Sequence, residues 1–300
     1  MTNEELIAAI GEWAVDFERR IAELETGLDK RVQAMQKDLY DLVRDVLSVS
    51  LDVQEGRLKN GKRNVLKVAQ LEDVFNRFER LRVHDELAGF SSELLSVAAL
   101  TGSYFSLIGE PITEAMEETQ ADIIRSVIGV DPRGNIVTDG YLHRLGKSAE
   151  VRQFIRDFVV QSIVSARTLK ELFEGLKNLI VGATDEDGAL QKYWRLYAYD
   201  TYNQAHEITN LGIAAELDLQ YFIYQGSIIQ TSRKFCVKRA GKVFSKAEAL
   251  TWKDDPDLID PKTAASYNPF IERGRYNCRH FLNWISEDLA AHMRPELKKK

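Results

Sequence analysis

The sequence predicts an α+β protein in two parts: a mainly helical N-terminal region with one long heptad helix, then a small α+β domain. Three patterns point there. Apolar residues recur at steps of three and four from Ile10 to Val46, the spacing of a helix seam. Helical periodicity returns in successive segments as far as residue 179. Sustained alternation with aromatic residues arrives only at 217–225, where Leu217, Leu219, Tyr221 and Ile223 share one side of a strand.

Thr2 or Asn3 can cap the first helix, with Glu4 and Glu5 in the turn where the backbone dipole favours negative charge. Its seam runs through Ile10, Ala14, Phe17, Ile21, Leu24, Leu28, Val32, Met35, Leu39, Leu42 and Val46, with one stutter between Leu28 and Val32. So narrow a stripe wants a partner helix, in the same chain, in a second copy or in another protein. Phe17, Ile21, Leu24, Leu28, Met35 and Leu39 are the expected partner-binding residues, and the later domain is expected to fold without this helix.

A polar break at 55–63 carries the turn signal Asn60-Gly61. Helices are predicted over 65–81 and 91–107; Gly109 and Pro111 stop the second, and Thr113 caps a further helix to about 127. Residues 129–147 hold the turn Asp131-Pro132-Arg133-Gly134 and a short hairpin arm at 135–137, after which helices return at 149–166 and 168–179. The small, acidic stretch 181–188 reads as a linker. Beyond it come a helix at 190–215, the strand at 217–225, a second strand around 237–244 that turns through Ala240-Gly241, and an Asp- and Pro-rich loop at 252–269. A helix at 281–293 and a frayed tail at 298–300 close the chain. The predicted division is therefore a helical region 1–128, a connector 129–188, the α+β domain 189–293 and a tail 294–300.

With 44% hydrophobic and 29% charged residues the chain can bury a core. No segment approaches the roughly 18 apolar residues that span a bilayer, and two cysteines make no secreted disulfide framework. A protein made in a cytoplasm, without membrane contact, is the expectation. The net charge of −6 argues against a general nucleic-acid binder, yet 231–281 carries eleven Lys and Arg against six Asp and Glu, a balance open to phosphate contact.

That same block holds both cysteines. Arg233, Arg275 and Arg279 with Tyr276 and Trp284 form a basic-aromatic set, suited to nucleic acid through phosphate contacts and stacking or to internal bridging of carboxylates and carbonyls. Arg233 and Arg279 are expected to be engaged within the chain. Phe235, Phe244, Tyr276, Phe281 and Trp284 are expected to converge beside Cys236 and Cys278, held as close, buried thiols. Cys236, Cys278 and His280 are three zinc-type ligands, one short of a structural set, so neither metal nor cofactor is expected. Asn277, Arg279 and His280 are the residues a small nuclease or transferase would use, but no protease signature surrounds them, and no catalytic residue is assigned. Gly56, Gly61 and Lys62 have phosphate-loop spacing, with Arg63 where a hydroxyl is required.

The order of these features resembles a known family. The helix-like YWRLYAYDTYNQAHEITNLGIAAE, the strand-like YFIYQG, Arg233-x-x-Cys236, Gly241-Lys242-Val243-Phe244 and Gly274-Arg275-Tyr276-Asn277-Cys278-Arg279-His280 with Trp284 are similar to the C-terminal domain of the Mu F-like proteins, minor head or head morphogenesis proteins of tailed bacteriophages. The resemblance covers the last third of the chain. It departs in having Cys-Arg-His for the commoner Cys-Arg-Cys, and in lacking a second cysteine near Cys236. It implies a low-copy virion component inside the capsid or at the portal vertex, assembled in a host cytoplasm, that aids capsid assembly and genome packaging or delivery. It also implies contact with the portal or other capsid proteins and with packaged DNA, while the seam of the first helix offers pairing with a second copy. An enzyme and a helical adaptor or scaffold are the alternatives.

Overall fold

The computed structural model describes residues 1–110, 112–258, 266–275 and 278–299 (for Tyr199, Lys298 and Lys299, the backbone alone). In chain order the elements begin with α1 (Asn3–Ser50), the two-residue strands β1 (Val53–Gln54) and β2 (Arg57–Leu58), α2 (Lys62–Lys67) and α3 (Leu71–Phe78). Then come α4 (His84–Leu107), α5 (Glu114–Ile128), α6 (Tyr141–Lys147), α7 (Ala149–Val164) and α8 (Leu169–Ile180). β3 (Gly182–Ala183), β4 (Glu186–Asp187), α9 (Ala189–Tyr197) and α10 (Tyr199–Glu216) lead into the last third. That third contains β5 (Tyr221–Gln225), α11 (Lys234–Val237), β6 (Lys242–Ser245), α12 (Lys246–Leu250), α13 (Pro269–Glu272), β7 (Phe281–Ile285) and α14 (Glu287–Met293). The fold is mainly helical α+β, as the periodicities predict. Among the described residues no helix is long and apolar enough to cross a membrane.

The chain forms two compact units that do not follow the linear boundaries at 128 and 188. One comprises Met1–Leu24, Ser92–Val127 and Tyr199–Lys300; the other comprises Glu25–Ser91 and Ile128–Ala198. Long helices are the reason: α1 and α4 each contribute one end to each unit. The residues read as a linker, 181–188, form the β3–β4 hairpin instead, with Gly182 opposite Asp187. The predicted single helix 190–215 is broken at Ala198, and the unit boundary falls at that break.

Thr2 caps α1: Glu5 N donates to Thr2 Oγ1 at 3.2 Å and Thr2 N to Glu5 Oε2 at 2.7 Å, a reciprocal box that satisfies two orphan donors. The six residues assigned to partner binding, Phe17, Ile21, Leu24, Leu28, Met35 and Leu39, are all buried in the chain itself. The seam is therefore spent on the protein's own core, and the partner role for these residues is withdrawn. Beyond Leu39 the buried positions are Val43 and Leu47 rather than Leu42 and Val46. A straight helix turns every 3.6 residues, so an i+4 row drifts off a strict heptad seam.

In the second unit the later half of α1 is fixed by polar contacts with α8–α9. Gln191 N donates to Gln36 Oε1 at 2.9 Å, and Tyr40 Oη to the Phe173 carbonyl at 3.4 Å. Asp29 accepts from Gln191 at 2.8 Å and pairs with Arg195 at 3.1 Å. Thr168 closes a capping box with Glu171 at the start of α8, while residues 135–137 make one bridge, Val130 to Ile136, and no strand. The polar break at 55–63 is organised by buried Asn64, which accepts from Asp52 N and donates to the carbonyls of Asp52 and Lys59, all between 2.8 and 2.9 Å.

The first unit is built on one antiparallel sheet of order β6–β5–β7. Two sequence expectations change here. The turn expected at Ala240-Gly241 is present, with Gly241 at the left-handed φ of +75° that a tight turn requires, but no strand precedes it: α11 turns through Lys234–Val237 and β6 starts only at Lys242. Residues 281–293 are not one helix, because Phe281–Ile285 is buried on both faces and pairs with β5; Ser286 then caps α14, accepting from Leu289 N. Fully buried strands lose the alternating pattern that would mark them, leaving a short apolar run that periodicity cannot assign. Of the loop 252–269, Trp252–Asp254 is a short 3₁₀ turn and residues 259–265 lie outside the described residues, as do the stop signal Pro111 and the tail residue Lys300.

Candidate functional site

Strand register decides which motif residues meet. Phe222 pairs with Phe244 on one side and Trp284 on the other, and Tyr224 lies between Lys242 and Leu282. Phe222, Tyr224, Phe244, Leu282 and Trp284 therefore share one face, since side chains repeat every second residue. Trp252 packs edge-on against Phe222, Phe235 and Phe244 with centroids 5.8, 5.7 and 5.2 Å away, and Phe270 lies 5.7 Å from Trp284. Phe235, Phe244 and Trp284 belong to this cluster with both cysteines, as predicted. Phe281 does not belong to it. Three residues from Trp284, it faces the opposite way and meets Phe17 at 4.9 Å and Trp13 at 6.2 Å.

At one end of the aromatic face the two cysteines come together. The single turn of α11 directs Cys236 inward, and the extended residues before β7 keep strand parity, so Cys278 and His280 are buried while Arg279 between them is exposed. The expectation that Arg279 is engaged internally fails for that reason. Arg233 is engaged, donating from Nη1 to the Gly274 carbonyl at 2.8 Å. Cys236 Sγ lies 3.8 Å from Cys278 Sγ, and Cys278 Sγ lies 3.9 Å from His280 Nδ1. The Tyr224 hydroxyl is 3.4 Å from the first sulfur and 3.7 Å from the second, and Gly274 N–H donates to Cys278 at 3.4 Å. The His280 ring stacks on Tyr224 at 5.3 Å, and its Nε2 is buried with no hydrogen-bond partner.

The thiols titrate as a pair: donation from Cys236 holds Cys278 below the ordinary thiol value, and the same bond raises Cys236. Exposure of 2% for each cysteine and 3% for His280 makes this a packed cluster, with no nucleophile presented to solvent. The ligand set judged one short in the sequence is nonetheless gathered in space, its donor atoms all within 4.8 Å of one another.

At Gly274 the chain passes close to both sulfurs. A Cβ there would sit 2.4 Å from Cys236 Sγ and 3.1 Å from Cys278 Sγ. Gly274→Ala is expected to force the sulfurs apart and cost about 1–3 kcal/mol, the usual penalty of overpacking. An unchanged thermal midpoint would mean the loop yields instead.

Of the other motif residues, Lys242 is exposed and donates to the Lys238 carbonyl at 2.7 Å, and Arg275 lies over the Tyr267 ring at 5.4 Å. Tyr276 and Asn277 lie outside the described residues. The guanidiniums that organise the unit are two that sequence reasoning missed. Arg239 lies 3.7 Å over Phe235 and 4.7 Å over Trp252 and pairs with Asp255 at 2.6 Å. Arg273 is buried against Glu207 at 3.2 Å.

Glu207 belongs to a second buried constellation, beside the outer edge of β7. Its Oε1 accepts from Leu282 N at 3.0 Å, Asn210 one turn along α10 donates to the Leu282 carbonyl, and Tyr104 Oη donates to the Trp284 carbonyl at 2.7 Å. Side chains thus complete the backbone bonding of an edge strand that would otherwise template pairing with another chain. The spacing of Glu207 and Asn210 by three was the available signal, because it places both on one helix face.

Burial pushes Glu207 up to about 7 from an ordinary value of 4.5, against the pull of Arg273. Below the ordinary value folded and unfolded chains both hold the proton, and the group's stability contribution is fully present. It is lost as pH rises through about 7. Between about pH 5 and pH 8 the unfolding free energy of the natural protein, measured in urea, should fall relative to that of Glu207→Gln by on the order of 3 kcal/mol at most. A constant gap between the two would contradict this.

Comparison of the chain with protein-family models, curated proteins and solved structures finds no match in any of the three.

Proposed function

We propose that this chain is a minor head, or head morphogenesis, protein of a tailed bacteriophage. In this reading it is a low-copy component inside the capsid or at the portal vertex, aiding capsid assembly and genome packaging or delivery as a structural part rather than a catalyst. The observation that carries the reading is the ordered run of the last third: helix, strand, Arg233-x-x-Cys236, Gly241-Lys242-Val243-Phe244 and Cys278-Arg279-His280, which resembles the Mu F-like domain. Burial of Cys236, Cys278 and His280 suits motif residues that serve packing. Contact with the portal or other capsid proteins falls to surfaces other than the buried seam of α1, and the exposed Arg279 and Lys242 remain open to packaged DNA.

The test is quantitative mass spectrometry of intact virions and emptied heads of the phage encoding the chain. A few copies per intact particle are expected. Absence from particles that hold their full complement of other head proteins would defeat the proposal.

A further inference from the structure

The Cys236–Cys278–His280 cluster has dimensions that packing alone does not require. Two sulfurs bound to a tetrahedral zinc ion at about 2.3 Å stand about 3.8 Å apart, and a sulfur and an imidazole nitrogen about 3.6 Å. The corresponding separations here are 3.8 Å between sulfurs and 3.9 Å from Cys278 Sγ to His280 Nδ1. A phenolic oxygen at the next vertex would stand about 3.5 Å from each sulfur; the Tyr224 hydroxyl lies 3.4 and 3.7 Å away. These four separations, between atoms of three chain segments, match edges of one small tetrahedron, and the donors of Cys236 and His280 lie within 4.8 Å of each other.

The surroundings fit an ion as well. Two thiolates balance a divalent charge, and the Gly274 N–H aimed at Cys278 Sγ at 3.4 Å stabilises a bound thiolate. Among the described residues the polar contact of the imidazole Nδ1 is with the Cys278 sulfur, which leaves that nitrogen facing the other donors. Gly274 has no side chain to fill the space beside the sulfurs, and a Cβ there would collide with both.

We propose that Cys236, Cys278 and His280 bind a structural zinc ion, with the Tyr224 hydroxyl facing the fourth vertex. Thiolate and imidazole donors select zinc over magnesium or calcium, which take oxygen ligands. A closed, buried shell marks a structural site, since a catalytic one keeps an open position. The ion joins α11 to the segment entering β7, a tie between residues 42 apart in sequence, in a unit whose sheet has only three short strands. The proposal rests on the side-chain geometry and not on the virion reading; either can fail without the other.

The experiment measures zinc in the purified full-length chain by elemental mass spectrometry, then replaces it with cobalt. One zinc per chain is expected, with a sulfur-to-cobalt charge-transfer band and the intense visible bands of tetrahedral cobalt. Cys236→Ser and Cys278→Ser should abolish the charge-transfer signature, and Tyr224→Phe should weaken affinity roughly 10-fold. Because the cobalt spectrum is read on the natural chain, it decides the matter even if a variant fails to fold. Folded protein without stoichiometric zinc and without the band overturns the proposal. So does zinc retained unchanged in both serine variants, or a Cys236–Cys278 disulfide in freshly isolated protein.

Discussion

Replacing Arg273 by alanine is expected to destabilise the unit containing the sheet by about 3–5 kcal/mol, the scale seen when one partner of a buried ion pair is removed. Arg273 is 1% exposed, with Nη1 3.2 Å from Glu207 Oε1 and 3.3 Å from the Asn203 carbonyl. Truncation removes the countercharge of a fully buried carboxylate and opens a cavity in a close-packed layer. Arg273→Met should cost less, because it keeps most of the volume that alanine removes; in both variants Glu207, already held up to about 7, can shed its charge by taking a proton. Urea unfolding near neutral pH, followed by circular dichroism, separates the two variants. If both stay within about 1 kcal/mol of the natural protein, the ion pair is not what holds the end of α13 against α10.

Phe17→Ala is the second large effect, also about 3–5 kcal/mol for a buried aromatic cut to alanine. Phe17 is buried among Trp13, His206 and Phe281, with ring centroids 5.0, 4.3 and 4.9 Å away. Ile10 on the same helix lies in the core that contains Phe222 and Trp284. Removing residues 1–24 should therefore leave 199–300 without a cooperative melt, contrary to the expectation of an autonomous C-terminal domain. Val15→Ala is the internal control: that side chain is 68% exposed, so its loss should stay within about 0.5 kcal/mol. A truncated chain that melts cooperatively at the natural temperature would restore the autonomous domain.

Much of the candidate site was legible, and the part that was not has identifiable reasons. Cys236, Phe235 and Trp284 could be grouped because aromatic density around two cysteines marks a core. Cys278 and His280 could be placed on one face by parity alone, and the same parity, applied one residue further, would have turned Arg279 outward and separated Phe281 from Trp284. What hid this was the assignment of 281–285 to a helix. Its five residues are all buried, and an apolar run that short has no period to read. Arg273 and Glu207, 66 positions apart, carried no local sign of pairing.

By itself the sequence determined the secondary structure that rests on local chemistry. It set a 48-residue helix with a Thr2 cap, the capping box at Thr168, the helical majority and the strand at β5. The caps and helices depend on contacts within a few residues, where spacing in sequence is distance in space, and β5 shows in its own alternation of side chains. Only the tertiary structure decided what the α1 seam packs against, how the units are composed, which strand borders which, and that two cysteines and a histidine come within 4.8 Å. Those outcomes depend on which buried surfaces and polar groups satisfy one another across long separations, and such complementarity leaves no periodic trace in the chain.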